Sequence, residues 1–136
     1  MLHLSSSSEI RLNCRGGRTN TIIDAAHTIN TSNWVHVVAT WNRTANTMAI
    51  YINTDSAATG TNGITNFATE ANKIYLGKPG NADNAYFDGH LSSLTLWGGV
   101  LTSSDVAKLY NGGTPGDPKN AGISELKAWL PLDETS

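Results

Sequence analysis

Between residues 81 and 88 the chain places Asn81, Asp83, Asn84 and Asp88 in one loop and the start of the segment that follows it. Carboxylates and amides are hard oxygen donors, the kind that calcium takes. Asp83 and Asp88 are the expected metal ligands if the loop holds an ion, and calcium is the ion expected there. Turn preference alone also accounts for Asn and Asp in such a loop, and the spacing of a dedicated D-x-D-x-D calcium loop is absent. A second chemistry uses the same residues. Sugars are held by an aromatic face together with amide and carboxylate hydrogen bonds. Tyr86 with Asn81, Asn84 and Asp88 supplies that combination, and Trp97 and Trp129 are further rings of suitable type. Trp34 and Trp41 are expected in the core or between sheets.

Catalysis finds less support. Glycoside hydrolysis uses two carboxylates at a defined separation across the bond. Asp133 and Glu134 are adjacent, so on a strand they point to opposite faces. No serine sits in a G-x-S-x-G elbow. His36 lies in an apolar run and is expected to be a satisfied sheet histidine, and His90 is expected at the surface. An enzyme is not expected.

These residues need a scaffold. A chain of 136 residues is one domain by ordinary size, long enough to bury a core without disulfides or metal. Thirteen Gly and four Pro fit many short strands and tight turns. A net charge of -2 leaves no basic footprint, which argues against nucleic acid as the main partner. Cys14 is the single cysteine, so no disulfide framework exists, and it is expected as a small buried apolar side chain. No 18-residue apolar run is present, so no membrane insertion is expected. The start lacks the basic and apolar regions of a secretory leader. The chain is expected to be cytoplasmic as written, part of a virion, or a module of a longer extracellular or virion-associated protein.

Alternation marks the strands. Ile10, Leu12 and Cys14 alternate with Glu9, Arg11, Asn13 and Arg15, which predicts a half-buried antiparallel strand. Gly16-Gly17 signals a hairpin, with residues 19–23 returning and 24–27 a break. Residues 33–41 are β-branched and aromatic and predict a central strand, paired through a turn at 42–46 with 48–53. Residues 56–66 predict a surface connection or weak edge strand. Residues 73–77 predict a short strand and 78–85 the clearest loop. Residues 86–97 predict a strand with a bulge near Ser92-Ser93, because Leu91 has the opposite parity to Leu94 and Leu96.

Thr102 and Asp105 predict a capped helix near residues 103–110, with the stripe Val106, Leu109, Tyr110 and a stop at Asn111-Gly112-Gly113. Residues 114–122 are a linker. Residues 126–132 predict a closing strand, at an edge or near its end because Pro131 cannot donate to a ladder.

Four blocks in order resemble laminin-G-like and pentraxin-like domains of the concanavalin A-like lectin/glucanase superfamily. They are Trp34–Trp41 with Ile50–Asn53, Ile74–Gly77, Phe87–Trp97, and Leu101–Val106 with Leu109–Gly112. The resemblance implies an all-β, two-sheet antiparallel jelly-roll sandwich, here with one short helix and a single domain over 1–136. Domains of this kind carry further strands before the point where this chain begins. Their opening strand is similar to residues 126–134, which stand at the opposite end here. That segment either fills the same place in the sheet, as in a permuted domain, or starts a next segment. Ser92-Ser93 stands where an acidic pair is usual, and the turn after Asn53 lacks the usual Gly. Glycosidases of this superfold carry their carboxylates as an E-x-D alternation on one strand, which no strand here shows.

The function expected is non-catalytic recognition of a glycan or protein surface through loops at one end of the sandwich. The alternative is a structural or assembly protein, a virion or appendage component, that forms homo-oligomers through open sheet edges.

Overall fold

The computed structural model describes residues 1–6, 9–16, 19–27, 32–64, 75–77, 86–114 and 116–132. Its strands are Leu2–Ser6 (β1), Glu9–Gly16 (β2), Thr19–Ala26 (β3), Val37–Asn42 (β4), Thr47–Ile52 (β5), Asp55–Thr61 (β6), Leu94–Trp97 (β7) and Leu126–Leu130 (β8). One α-helix, Ser103–Tyr110 (α1), precedes two single 3-10 turns. All pairing among these strands is antiparallel: β1-β2-β3 form one sheet, β4-β5-β6 a second, and β7-β8 a two-stranded third.

The first two sheets face each other, with β3 lying against β5 and β6. Alternation decides which side chains enter the space between them. Ile10, Leu12 and Cys14 come from β2, Ile23 and Ala25 from β3, and Met48, Ile50 and Ile52 from β5; with Ile64 they form one buried cluster. Val35, Val37, Trp41 and Ala58 pack at its margin. Burial pushes the Cys14 thiol up, so it stays protonated and behaves as the small apolar side chain expected. Gly60 on β6 sits so close to β3 that a Cβ there would lie 2.5 Å from Ile23 Cγ2.

Several elements differ from their sequence expectations. β3 runs on through Asp24, which was expected in a break. Arg11 stands directly opposite on β2 and donates two hydrogen bonds, 2.6 and 2.8 Å, to its carboxylate. A cross-strand ion pair of this kind lets a turn-forming residue stay in the ladder. Residues 55–61, expected to be a connection or weak edge, form a regular strand against β5. The turn before it needs no glycine, because Asn53 itself takes a left-handed φ of 57°.

The central strand is shorter than expected. It begins at Val37, opposite Ile52, the last residue of β5. Residues 34–36 precede the ladder, and Trp34, expected in the core or between sheets, is 67% exposed. Residues 75–77 are not in a strand, and 73–74 lie outside the described residues.

The strand expected over 86–97 is confined to β7. Ser93 takes a left-handed φ of 52° just ahead of the ladder, but the register shift of this pair falls between Leu96 and Trp97 rather than at Ser92-Ser93, and Leu91 remains exposed rather than being brought inward. Helix α1 has the boundaries and cap that were expected. Thr102 Oγ1 accepts from the Asp105 N–H, and the Asp105 carboxylate accepts from the Thr102 N–H. Val106 is fully buried and Leu101 nearly so, which docks the helix. β8 ends at Leu130, before Pro131, and lies beside β7 in the register Leu94↔Leu130, not beside β1. The Pro131 carbonyl accepts from Ser93 N–H at 2.7 Å, closing that pair.

Candidate functional site

Of the residues expected to bind a ligand or metal, Asn81, Asp83 and Asn84 lie outside the described residues, while Tyr86 and Asp88 are described. Both are exposed, Tyr86 at 65%. The backbone between them is anchored. Phe87 N–H donates to the Gly77 carbonyl at 2.7 Å, tying together the two ends of the segment 78–85. The Phe87 ring lies over Gly89, where a Cβ would come within 2.9 Å of it. A side chain at Gly89 would displace that ring. Tyr86 and Asp88 therefore flank a pinned residue and face solvent.

The two other rings named from sequence serve the scaffold. Trp97 Nε1 donates to Thr95 Oγ1 at 3.0 Å. Trp129 Nε1 donates to Ser93 Oγ at 3.2 Å, and its ring lies 5.3 Å beneath the Lys119 ammonium. Both indoles are half-buried. His90 is exposed, as expected.

Histidine 36 stands just ahead of β4 and is half-buried. Asn53 holds the His36 backbone across the open end of the hairpin through both its own N–H and its side-chain oxygen. Asn53 N–H donates to the His36 carbonyl at 2.8 Å, and His36 N–H donates to Asn53 Oδ1 at 3.2 Å. Its Nδ1 is 3.4 Å from the Asn53 carbonyl, and its ring lies 6.0 Å from that of Tyr110 on α1. Burial lowers the imidazole pKa, only partly offset by the Asn53 carbonyl, so the ring is neutral at neutral pH.

Among the described residues, the carboxylates whose pKa is displaced all have structural partners. Hydrogen bonds from Arg11 hold Asp24 low, the Thr102 hydroxyl and N–H hold Asp105 low, and Lys127 holds Glu125 low. Displaced pKa values mark functional sites only when no ion pair or cap explains them. Among the described residues no group of three His, Cys, Asp or Glu is placed to share a metal ion.

One recess was not foreseen from sequence. It measures about 210 Å³ and lies between the end of α1 and the second 3-10 turn, with Lys108, Asn111, Asp117 and Asn120 on its wall. Asp117 is committed to the turn, accepting from Lys119 N–H at 2.8 Å. In sequence Asp117 and Asn120 read only as part of a linker rich in Pro, Gly and Asp, and Lys108 and Asn111 only as the end of the helix.

Opposed antiparallel sheets with a capped helix between β7 and β8 define a lectin-like β-sandwich. The chain belongs to the concanavalin A-like lectin/glucanases superfamily, the laminin G-like family model matching residues 1–107. It is similar to the pentraxin-related protein PTX3 of Bos taurus, at 29% identity over 67% of this chain and 26% of that protein. Among solved structures it is similar to an S-layer domain-containing protein from Clostridium thermocellum ATCC 27405, with a TM-score of 0.52. That match has 20% identity and covers 74% of this chain and 51% of the other, so it speaks for the fold alone. The chain spans about a quarter of the pentraxin's length. Among the described residues no helix is long and apolar enough to cross a membrane.

Proposed function

We propose that this chain is a non-catalytic recognition module that binds a glycan or a protein surface through the loop region 78–88. The observation that carries the reading is the pinned stem: Tyr86 and Asp88 are exposed on either side of Phe87, whose backbone is tied to the Gly77 carbonyl. Rigid presentation of an aromatic and a carboxylate lowers the ordering cost of binding. Calcium held by Asp83 and Asp88 would serve the same loop, and an extracellular setting suits the reading. A glycan array with and without calcium tests it, run on the chain and on Tyr86→Ala and Asp88→Ala. Binding that falls about tenfold or more in either variant supports the loop. Unchanged binding in both variants removes it.

A second reading, self-assembly through open edges, rests on β1. Leu2 and Leu4 pair with Leu12 and Ile10, so they share the core-facing side of the sheet, yet they stay 44% and 39% exposed at its margin. Light scattering at high concentration decides: a concentration-dependent dimer lost in a Leu2→Ser/Leu4→Ser double variant supports it, and a strict monomer ends it.

A further inference from the structure

Asn62 is a polar side chain with no exposed surface, at 0%. It follows the last residue of β6 and carries the pairing one step further, its N–H donating to the Asn46 carbonyl at 2.8 Å. Its side-chain oxygen accepts from the Ile64 N–H at 3.1 Å, a local turn that delivers Ile64 into the core cluster. Half of the amide is left over. Nδ2 is buried and meets no acceptor. A buried donor without a partner costs free energy, so the oxygen alone carries the structural role of this side chain.

The next residue is Gly63, and it is exposed. In an Asn-Gly pair no Cβ hinders the following backbone nitrogen from reaching the side-chain carbonyl carbon. The Gly63 nitrogen attacks Asn62 Cγ, the Cγ–Nδ2 bond breaks, and Nδ2 leaves as ammonia with the proton from Gly63. Water then opens the cyclic imide at either carbonyl, giving aspartate or isoaspartate. In the closed fold this chemistry is blocked. The Ile64 N–H holds the side-chain oxygen, and water does not reach a side chain with no exposed surface. The block lifts when the end of β6 opens locally.

The product does not fit back. Aspartate would place a carboxylate where the fold offers one donor, and residues 44–64 contain no Lys, Arg or His to pair with it. Isoaspartate routes the main chain through the former side chain and removes the turn that seats Ile64. We infer that Asn62-Gly63 is a latent modification site, protected while the end of β6 is docked and converted irreversibly to the acid when it opens. A chain that has stayed open long enough then no longer refolds to the same stability.

Asn111-Gly112, the other Asn-Gly pair in the chain, supplies an internal reference, because Asn111 is exposed at the end of α1. The chain is held at mildly alkaline pH with and without unfolding urea, and peptide mass spectrometry follows both sites. In urea the two sites should convert at similar rates. In the folded chain Asn62 should convert at least about tenfold more slowly than in urea. Gly63→Ala should suppress the Asn62 product in urea, where folding plays no part. Asn62→Asp, which mimics one product, should have a lower urea midpoint than wild type at neutral pH. Burial raises the pKa of a carboxyl, so this deficit should shrink on acidification as the group becomes neutral. Conversion of Asn62 as fast in the folded chain as in urea overturns the inference. So does no conversion at Asn62 in urea while Asn111 converts, and so does an Asn62→Asp variant that unfolds with wild type at neutral pH.

Discussion

Ile50→Ala is expected to cost about 2–5 kcal/mol, the range for removing a large aliphatic side chain from a close-packed core. Ile50 is 0% exposed, at the middle of β5, the central strand of its sheet. It stands between Ala39 on β4 and Ala58 on β6, so both cross-strand neighbours are small. Small neighbours cannot move in to fill the space, and the cavity persists, which favours the upper part of that range. Domains of ordinary size hold about 5–15 kcal/mol in total. The substitution should therefore lower the urea midpoint substantially with the m-value unchanged, as read by equilibrium unfolding. A loss under about 1 kcal/mol, the typical cost of an unremarkable substitution, would mean that the two sheets do not close over β5 as described.

How far the sequence carries the fold can be argued from the same strands. β2 was legible because one face is core and the other water, so the period of two is clean from Glu9 to Arg15. Helix α1 was legible because its cap is chemical: Thr102 and Asp105 satisfy each other's backbone whatever the rest of the chain does. The central strand overran because composition does not know where its partner stops. β5 turns away at Asn53, so residues 33–36 have no ladder to join, and the exposure of Trp34 follows from that turn rather than from any local signal.

β6 was underestimated for the converse reason. Asp55, Ala58 and Gly60 are poor strand formers alone, but β5 offers a full row of partners and β3 covers the inner face. Tyr86 and Asp88 could be named from residue type, whereas the clasp from Phe87 to Gly77 that presents them spans ten positions and leaves no local pattern. Asn81, Asp83 and Asn84 lie outside the described residues, and the calcium expectation stands with them as a proposal.

Gly60→Ala should be destabilising, and the reason can be isolated. The new methyl would lie 2.5 Å from Ile23 Cγ2, closer than carbon atoms approach. Ile23 is β-branched, so its χ1 is stiff, and it sits on a neighbouring strand at 9% exposure with core residues around it. Overpacking of this kind costs about 1–3 kcal/mol. Against it stands the reduced freedom of the unfolded chain, worth about 0.4–1 kcal/mol in favour of Ala where the backbone accepts it. Gly60 is in regular strand pairing with Met48, so the backbone accepts Ala and the clash decides the sign.

Ile23→Leu moves the branch from Cβ to Cγ and removes the methyl that the new Cβ would strike. In that background Gly60→Ala should be neutral or stabilising. Urea unfolding of the four proteins closes the cycle, with an expected coupling of about 1 kcal/mol or more. Additivity to within about 0.5 kcal/mol would show that the close approach of β6 to β3 is not what reserves position 60 for glycine. The same approach is what lets a strand of small polar residues cover the core. A cycle that couples would thus locate the contact that fixes the spacing of the two sheets.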